Sequence, residues 1–443
     1  MSESLSHQRQ TLVKLLRQAA ELEQNLLLAY LYSTFSLKST PDQSCSDAEW
    51  EVVRRWYSQL LMVARQEMEH LSLVQSLLLA IGEPPYFGRA NLSGVRAEGE
   101  QGTSSLEPVQ FPIGLVPYSR ETIQEYVCIE SPSLESLREF GVPIPPWCFE
   151  EGERECFHAR MKSFLEAGPA GEAGAGTIEE LYEQIAEHIK ALGDAIFVGS
   201  PAAQPAIQSE YNIFIPMVDD ATSALAAVDL ITKQGEGSTA SHTFRSHFHM
   251  FLEMEREFGF MLQRNTGFKP VLPWETVSSS SEIEDAVAKE LFEICNEAYV
   301  AVVFMLAGYY NRFDSNSGFS QSLQMSAFAP MMTMVFRPLL ELLAGRPIND
   351  SGCRTGPSFH LSPEQQAAVA EPAKAGDVIN SLEANIARVE ALRSRVKKLL
   401  GMPGLTEAER MLVNYLHENT YRLSNNLPQI ATQGILPNLN PES

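Results

Sequence analysis

The sequence predicts an all-α protein built around a bundle of long helices. Apolar residues recur at helical spacing through residues 12–37 and again through residues 47–81. A short polar segment, residues 38–47, joins these two stretches, and few segments elsewhere show the alternating pattern of a β-strand. Because a short connection places consecutive helices side by side, we expect the first two helices to pack antiparallel.

The composition argues against several classes of partner. The formal net charge of the 443 residues is −23, whereas nucleic acids and anionic membrane surfaces are bound by clustered Lys and Arg. Residues 1–10 lack the apolar centre of a signal peptide, and the longest apolar stretch, residues 298–310, is too short to span a bilayer. We therefore expect a cytoplasmic protein that binds neither nucleic acid nor membrane. Its six cysteines form no Cys-x-x-Cys pair and are expected to be reduced.

Segments rich in Gly and Pro separate the remaining helices. The second helix is expected to end at Gly82, which Pro84 and Pro85 follow, and Asp220 is suited to cap the start of a later helix. Further helices are predicted over residues 119–130, 177–191, 220–233, 244–260, 282–313, 321–344, 375–400 and 406–423.

The longest of these helices predict a four-helix bundle, formed by residues 12–37, 47–81, 282–313 and 321–344. A large cap, residues 86–280, would then be inserted between the second and third bundle helices. Bundle and cap would form one domain, residues 1–362, and residues 363–443 would add a helical extension. This extension is expected to dock on the bundle or to join two chains in a homodimer.

A carboxylate and an imidazole lie on the apolar face of the second helix. Glu67 and His70 are one helical turn apart, and the neighbours of Glu67 at helical spacing are Leu60, Val63, Ala64, Leu71 and Val74. Glu23 lies on a similar apolar face of the first helix, so an antiparallel hairpin brings it opposite this pair. A carboxylate in an apolar seam is costly unless paired, and a metal ion is an efficient partner. The alternative is that Glu23 pairs with Arg65 or another cation at a helix edge.

Several segments resemble the ferritin-like domain of the iminophenyl-pyruvate dimer synthase family, found in bacterial enzymes that make violacein- and rebeccamycin-type bisindole precursors. The segments are ELEQNLLLAYLYS from Glu21, QEMEHLSLVQSLLLAIG from Gln66, YVCIESP from Tyr126, TIEELYEQI from Thr177, VDDATSALAAVDLITKQGEG from Val218, SHFHMF from Ser246 and TGPSF from Thr355. They occur in the family's order over most of the chain. The resemblance implies a ferritin-like four-helix bundle.

The resemblance also implies a set of metal ligands, namely Glu23, Glu67, His70, Glu180, Glu236 and His247. Four carboxylates and two imidazoles suit one or two iron ions, and manganese also fits this donor set. Glu180 lies on a polar helix face, and Glu130, which ends a helix within a matched segment, is the alternative ligand.

Two departures from the family pattern bear on the number of metals. Gln24 stands where the family usually has His after the first Glu, and residues 282–344 contain no second Glu-x-x-His. Either Glu236 and His247 from the cap complete a dinuclear site, or the site holds one metal.

The function implied by the resemblance is that of a non-haem iron oxidoreductase. It would use dioxygen or peroxide to oxidise a small organic substrate, an amino-acid-derived imine or an aromatic compound, in a biosynthetic pathway, with oxidative coupling as the family-specific reaction. The alternative is a non-catalytic metal-binding or scaffold protein. The large predicted cap favours the enzyme, since such segments shape substrate pockets.

Overall fold

The computed structural model describes residues 3–41, 45–89, 92, 111–139, 144–149, 157–168, 174–205, 213–235, 245–316, 318–371 and 382–433. These residues form 15 α-helices and no β-strand, with isolated bridges between Leu37 and Val271 and between Trp274 and Arg354. The prediction of an all-α fold is therefore confirmed.

The chain forms two compact units. The first contains residues 1–83, 92–199 and 206–272, and the second contains residues 84–91, 200–205 and 273–443. The boundaries of these units differ from those of the predicted domains, residues 1–362 and 363–443. The predicted domains stay a prediction.

The first unit is built on the predicted helical hairpin. Helix α1, Glu3–Ser36, packs along α2, Asp47–Ala80. Arg9, near the start of α1, donates to the carbonyl of Ile81 just beyond the end of α2 at 2.7 Å, so the two helices run antiparallel. Ser46 and Glu49 form a reciprocal capping box at the start of α2, which defines where this helix begins.

Seven further helices complete the first unit. They are α3 (Arg120–Ile129), α4 (Leu134–Glu139), α5 (Pro146–Phe149), α6 (Phe157–Ala167), α7 (Ile178–Leu192), α8 (Ala221–Gln234) and α9 (His247–Arg264). Helix α7 packs on α1, helices α8 and α9 pack on α2, and α3 packs on α9. The partners of the hairpin within this unit therefore come from residues 86–280, the segment that the sequence assigned to a cap.

The helices expected to be third and fourth in the bundle lie in the second unit. This unit contains α10 (Ala286–Arg312), α11 (Gly318–Leu323), two π-helical turns (Gln324–Phe328 and Met331–Phe336), α12 (Arg337–Gly345), α13 (Pro363–Ala370), α14 (Leu382–Leu400) and α15 (Glu407–Gln433). The sequence assigned these helices to the same bundle as the hairpin because they are long and apolar. Length and apolarity show how deeply a helix is buried, but they do not show which helices surround it.

Helix α10 is the centre of the second unit. It packs on α12 and α14, and α14 packs on α15. Arg346 joins the ends of these helices, with its guanidinium 2.7 Å from Asp285 and 2.9 Å from Glu409. Of the helices in the described part of the chain, α10 alone is long and apolar enough to cross a membrane. Within its most apolar stretch of 18 residues, 72% is buried inside the protein. This burial is what the core helix of a soluble protein shows.

An aromatic cluster joins α9 to α2 in the first unit. Trp56 is fully buried, and its ring stacks on Phe258 with centroids 5.4 Å apart. Tyr118 packs on the same indole at 5.3 Å, and the indole nitrogen donates to Glu257 at 2.7 Å. This packing fixes α9 against α2 and therefore fixes where the first residues of α9 lie.

A disulfide corrects the expectation that all cysteines are reduced. Cys128 in α3 is bonded to Cys148 in α5, with their Cα atoms 5.2 Å apart. Spacing along the sequence does not report which cysteines meet in space, so the pair was not identifiable from the sequence. Cys45, Cys295 and Cys353 are free thiols.

Replacing Cys148 with Ser should lower the free energy of unfolding of the oxidised protein by about 3 kcal/mol, because the cross-link closes a loop with a sequence separation of 20 and so restricts the unfolded chain. Urea unfolding with and without reductant measures this effect. Reductant should lower the stability of the native sequence and leave Cys148→Ser unchanged. If reductant has no effect on the native sequence, the bond does not form in solution.

Candidate metal centre

Five buried side chains converge inside the first unit. Glu23 comes from α1, Glu67 and His70 come from α2, Glu130 directly follows α3, and His247 is the first residue of α9. Each is at most 2% exposed. Their donor atoms form two groups within 4.8 Å, Glu23–Glu67–His70 and Glu67–Glu130–His247.

Glu67 belongs to both groups through its two different oxygens. Its Oε1 lies 2.8 Å from Nδ1 of His247, and its Oε2 lies 3.3 Å from Nδ1 of His70. Each group is completed by one further carboxylate: Glu23 Oε2 is 3.4 Å from His70 Nδ1, and Glu130 Oε1 is 3.7 Å from His247 Nδ1. The centre therefore has two similar halves that share one carboxylate.

Local structure places each donor. Glu67 and His70 face the same way because they are one turn apart on α2. Glu130 is the C-cap of α3, where its backbone N–H bonds to the carbonyl of Tyr126 at 3.2 Å. Ser246 caps the N-terminus of α9, so the helix begins at His247. Two donors thus lie at helix ends and three within helices.

Two glutamines orient the imidazoles. His70 Nε2 lies 2.8 Å from Gln234 Oε1, and His247 Nε2 lies 3.2 Å from Gln66 Oε1. An amide oxygen only accepts, so Nε2 of each ring donates to the glutamine, and Nδ1 is directed at the carboxylates. Such an outer hydrogen bond fixes ring orientation at metal sites.

Two tyrosines bond to the outer carboxylates. The hydroxyl of Tyr182, from α7, donates to Glu23 Oε1, and the hydroxyl of Tyr30, from α1, donates to Glu130 Oε1. Both rings are fully buried. Burial raises the pKa of Tyr30 well above its ordinary value, and the charge of Glu130 adds to this effect, so the hydroxyl stays a donor.

Burial and neighbouring charges together determine the pKa values of the centre. Burial raises the pKa of Glu23 to about 8, and the charge of Glu67 adds to this. Burial would also raise the pKa of Glu67, but the adjacent His247 and His70 outweigh it and hold that pKa well below its usual range. Burial would lower the pKa of His247, yet the charge of Glu67, helped by Glu130, raises it to about 9. The same carboxylate raises the pKa of His70 above its ordinary value.

These residues fit a metal centre by two tests. Three carboxylates and two imidazoles are donors that suit iron and manganese. In addition, His247 Nδ1 and both oxygens of Glu67 have no aligned hydrogen bond in the described part of the protein, although the imidazole and the carboxylate are in contact. Buried polar atoms without hydrogen bonds are costly unless something else binds them.

A small cavity lies beside the donors, with a volume of about 10 Å³, the room of about one water molecule. It is lined by the polar residues Glu23, Glu67, His70 and Glu130 and by Leu26, Ile178, Ile231 and Gly235.

Comparison with known proteins agrees with this architecture. A sequence model of the family described as "Ferritin-like" matches residues 16–256, more than half of the chain, and this range contains all five donors. The chain belongs to the ferritin-like family. No solved structure matches the chain.

Two curated proteins are similar to this ferritin-like protein. Dichlorochromopyrrolate synthase of Lentzea aerocolonigenes is 26% identical over 394 residues, which cover 80% of this chain and 36% of the synthase. The 2-imino-3-(indol-3-yl)propanoate dimerase of Chromobacterium violaceum is 26% identical over 371 residues, which cover 77% of this chain and 33% of the dimerase. The chain thus spans about a third of the length of these relatives. The resemblance inferred from the sequence is confirmed.

Five of the six sequence-predicted ligands of this ferritin-like protein lie among the described residues. Glu23, Glu67, His70 and His247 are brought together. Glu180 instead caps α7, where its Oε2 accepts from the backbone N–H groups of Gly176 at 2.5 Å and Thr177 at 3.2 Å, and it belongs to neither donor group.

Glu236 lies outside the described residues. Glu130, the sequence-based alternative to Glu180, lies in the second donor group. The assignment of these residues as ligands stays a prediction.

Sequence reasoning missed the outer residues of the centre as functional groups. Tyr30 stands two helical turns after Glu23 in the same apolar stripe, and Gln66 is adjacent to Glu67, so both had a local signal. Tyr182 and Gln234 had none, because they reach the centre from α7 and α8, far away along the chain.

The metal-free ferritin-like protein should lose stability as the pH rises from about 6.5 to 9. The folded state raises the pKa of His247 from 6.5 to about 9, so the stability gained from its protonation is complete below 6.5 and is lost as the pH passes 9. The raised pKa of Glu23 has the same sign between 4.5 and about 8. For His247 alone, the loss is on the order of 3 kcal/mol.

Urea unfolding in chelator at several pH values measures this loss. His247→Gln should reduce the slope of stability against pH, whereas His249→Gln should retain it, because the half-exposed His249 lies outside the donor groups. A free energy of unfolding that is constant or rises between pH 6.5 and 9 would contradict the raised pKa of His247.

Proposed function

We propose that this protein is a non-haem iron oxidoreductase whose first unit would hold two metal ions, with Glu67 as a candidate ligand of each. The observation that carries the proposal is the position of the two Glu67 oxygens, each of which faces a separate imidazole and a separate outer carboxylate. Ferritin-like proteins hold two metals with carboxylates and two Glu-x-x-His motifs. Here Glu67 and His70 form one such motif, and His247 of α9 supplies the second imidazole without one. Iron is the expected metal, and manganese suits the same donors.

The described residues supply three donors to each metal position. The first position would have Glu23, Glu67 and His70, and the second would have Glu67, Glu130 and His247. Bound iron would supply reactivity toward dioxygen or peroxide at the coordination positions that these donors leave open. The apolar wall of Leu26, Ile178 and Ile231 would keep bulk water away from that reaction.

The names of the two relatives suggest the class of substrate. One is named for the dimerisation of 2-imino-3-(indol-3-yl)propanoate, an amino-acid-derived aromatic imine, and the other for the synthesis of dichlorochromopyrrolate. We propose that this chain likewise acts on a small amino-acid-derived imine or aromatic compound in a biosynthetic pathway, by oxidative coupling. We propose that it is cytoplasmic and has no nucleic-acid or membrane partner.

One observation favours a second candidate, a non-catalytic metal-binding protein. The cavity beside the donors is about 10 Å³, which is the room of about one water molecule and is too small for an organic substrate. A protein that only binds iron needs no more room than this. The two candidates differ in whether metal uptake is accompanied by turnover of an organic compound.

The protein loaded anaerobically with ferrous iron should bind two irons per chain, measured by elemental analysis. Glu67→Ala should lose both because the residue is shared, and Glu23→Ala should retain about one. Glu180→Ala is the matched control and should retain two, since its carboxylate only caps α7. One iron in the native protein would show a mononuclear site, and no iron would exclude the centre altogether.

The iron-loaded protein should convert an aromatic imine, generated from an amino acid by an added oxidase, into a coupled dimer detected by mass spectrometry. Glu67→Ala should reduce the yield to that of the metal-free protein, because both metals are lost. Iron uptake that changes the optical spectrum in air without any dimer formed would favour the non-catalytic candidate.

A further inference from the structure

The two halves of the centre differ in how a tyrosine holds the outer carboxylate. Resting on the proposed dinuclear centre, we propose that Tyr182 and Tyr30 are positioning residues that make the two metal positions unequal. Tyr182 prepares the Glu23–Glu67–His70 position for a metal, and Tyr30 weakens the Glu67–Glu130–His247 position. The first position would therefore fill before the second.

Tyr182 binds the oxygen of Glu23 that is not the one paired with the imidazole. Its hydroxyl donates to Glu23 Oε1, while Oε2 lies 3.4 Å from His70 Nδ1. One hydrogen bond thus fixes the carboxylate and leaves the other oxygen free of this bond and directed at the metal position. Because turning the carboxylate would break a buried hydrogen bond, Oε2 is preorganised as a ligand.

Tyr30 binds the oxygen of Glu130 that faces the imidazole. Its hydroxyl donates to Oε1, and the same Oε1 is the atom 3.7 Å from His247 Nδ1. A metal at this position must share Oε1 with the hydroxyl, which draws electron density from it, or the carboxylate must turn to offer Oε2. Glu130 Oε2 lies beside Gly235, 3.4 Å from the position that a Cβ of this residue would have. Because glycine has no side chain, there is room for the carboxylate to turn. Either route lowers the affinity of the second position.

The spacing of the donors agrees with this difference. Two donors on one metal at bond lengths of about 2.1 Å are about 3.0–3.4 Å apart at coordination angles between octahedral and tetrahedral. In the first group the carboxylate oxygens are 3.3 and 3.4 Å from His70 Nδ1, whereas in the second they are 2.8 and 3.7 Å from His247 Nδ1. The first group needs less rearrangement to accept an ion.

Tyr126 provides a matched control. Its ring is fully buried and packs edge-on against Tyr30, with centroids 4.7 Å apart. Its hydroxyl, however, bonds to Ser33 Oγ at 2.6 Å and donates to the carbonyl of Ala29 at 2.9 Å. Tyr126→Phe therefore removes a buried hydroxyl beside the centre without releasing a carboxylate of either donor group.

Titration of the metal-free full chain with Co²⁺ tests the proposal, with visible absorption reporting coordination and calorimetry reporting affinity. The native protein should bind two ions in two resolved steps. Tyr182→Phe should weaken the first step by about tenfold or more, as outer-residue changes do at other metal sites. Tyr30→Phe should leave the first step unchanged and strengthen the second, so that the two steps approach each other. Tyr126→Phe should match the native protein.

The outcomes separate this inference from the proposed function. No Co²⁺ bound by the native protein overturns the dinuclear centre and, with it, the roles of both tyrosines. Two ions bound equally by the native protein and by all three variants overturns only the positioning roles. Circular dichroism checks that each variant folds. If Tyr182→Phe does not fold, the Tyr30→Phe titration decides, because weaker binding at the second step would contradict the proposal.

Discussion

The charge of Glu67 is the constraint on which the first unit depends. This carboxylate is 1% exposed, and a buried carboxylate without a partner is strongly destabilising. Its partners are two imidazoles, one on α2 and one on α9, at 3.3 and 2.8 Å. Protons on these rings and cations between them meet the same electrostatic need. The electrostatic need that draws the two imidazoles to Glu67 is therefore one that a metal ion would also meet.

The sequence predicted the part of the centre that local geometry controls. Glu67 and His70 are neighbours on one helix face, and the short connection after α1 brings Glu23 to them. The helical period and the length of this connection were therefore sufficient to predict that the three residues meet. Tyr182 meets Glu23 across 159 residues, and no local pattern reports such a contact. Glu180 shows the opposite case: it stands three residues after Thr177 as the last member of a capping box, a local signal that explains its carboxylate without a metal.

The fold class was predictable from local sequence patterns, whereas the identity of the helices that pack on the hairpin was not. Helical periodicity is a property of one segment. It identified α2 and α10 close to their observed bounds, and it identified the end of α1 but placed its start nine residues too late. The neighbours of a helix depend on the shapes of surfaces from distant segments. Short amphipathic helices such as α7 and α9 pack against the hairpin in the first unit, although their lengths made them look like parts of a cap.

Glu130 is the donor with the least support from its own helix, because it lies at the C-cap of α3, where helices fray. Two contacts compensate. Cys128, two residues earlier, is covalently bonded to Cys148, which ties the last turn of α3 to a second segment. The Tyr30 hydroxyl binds the carboxylate itself. The same hydrogen bond that secures Glu130 in the metal-free protein also competes for its oxygen, so stability of this half and affinity for a metal are opposed. At Glu23 the hydroxyl of Tyr182 binds Oε1, whereas Oε2 is the oxygen near His70. In this half, the hydrogen bond that secures the carboxylate therefore does not compete with a metal for Oε2.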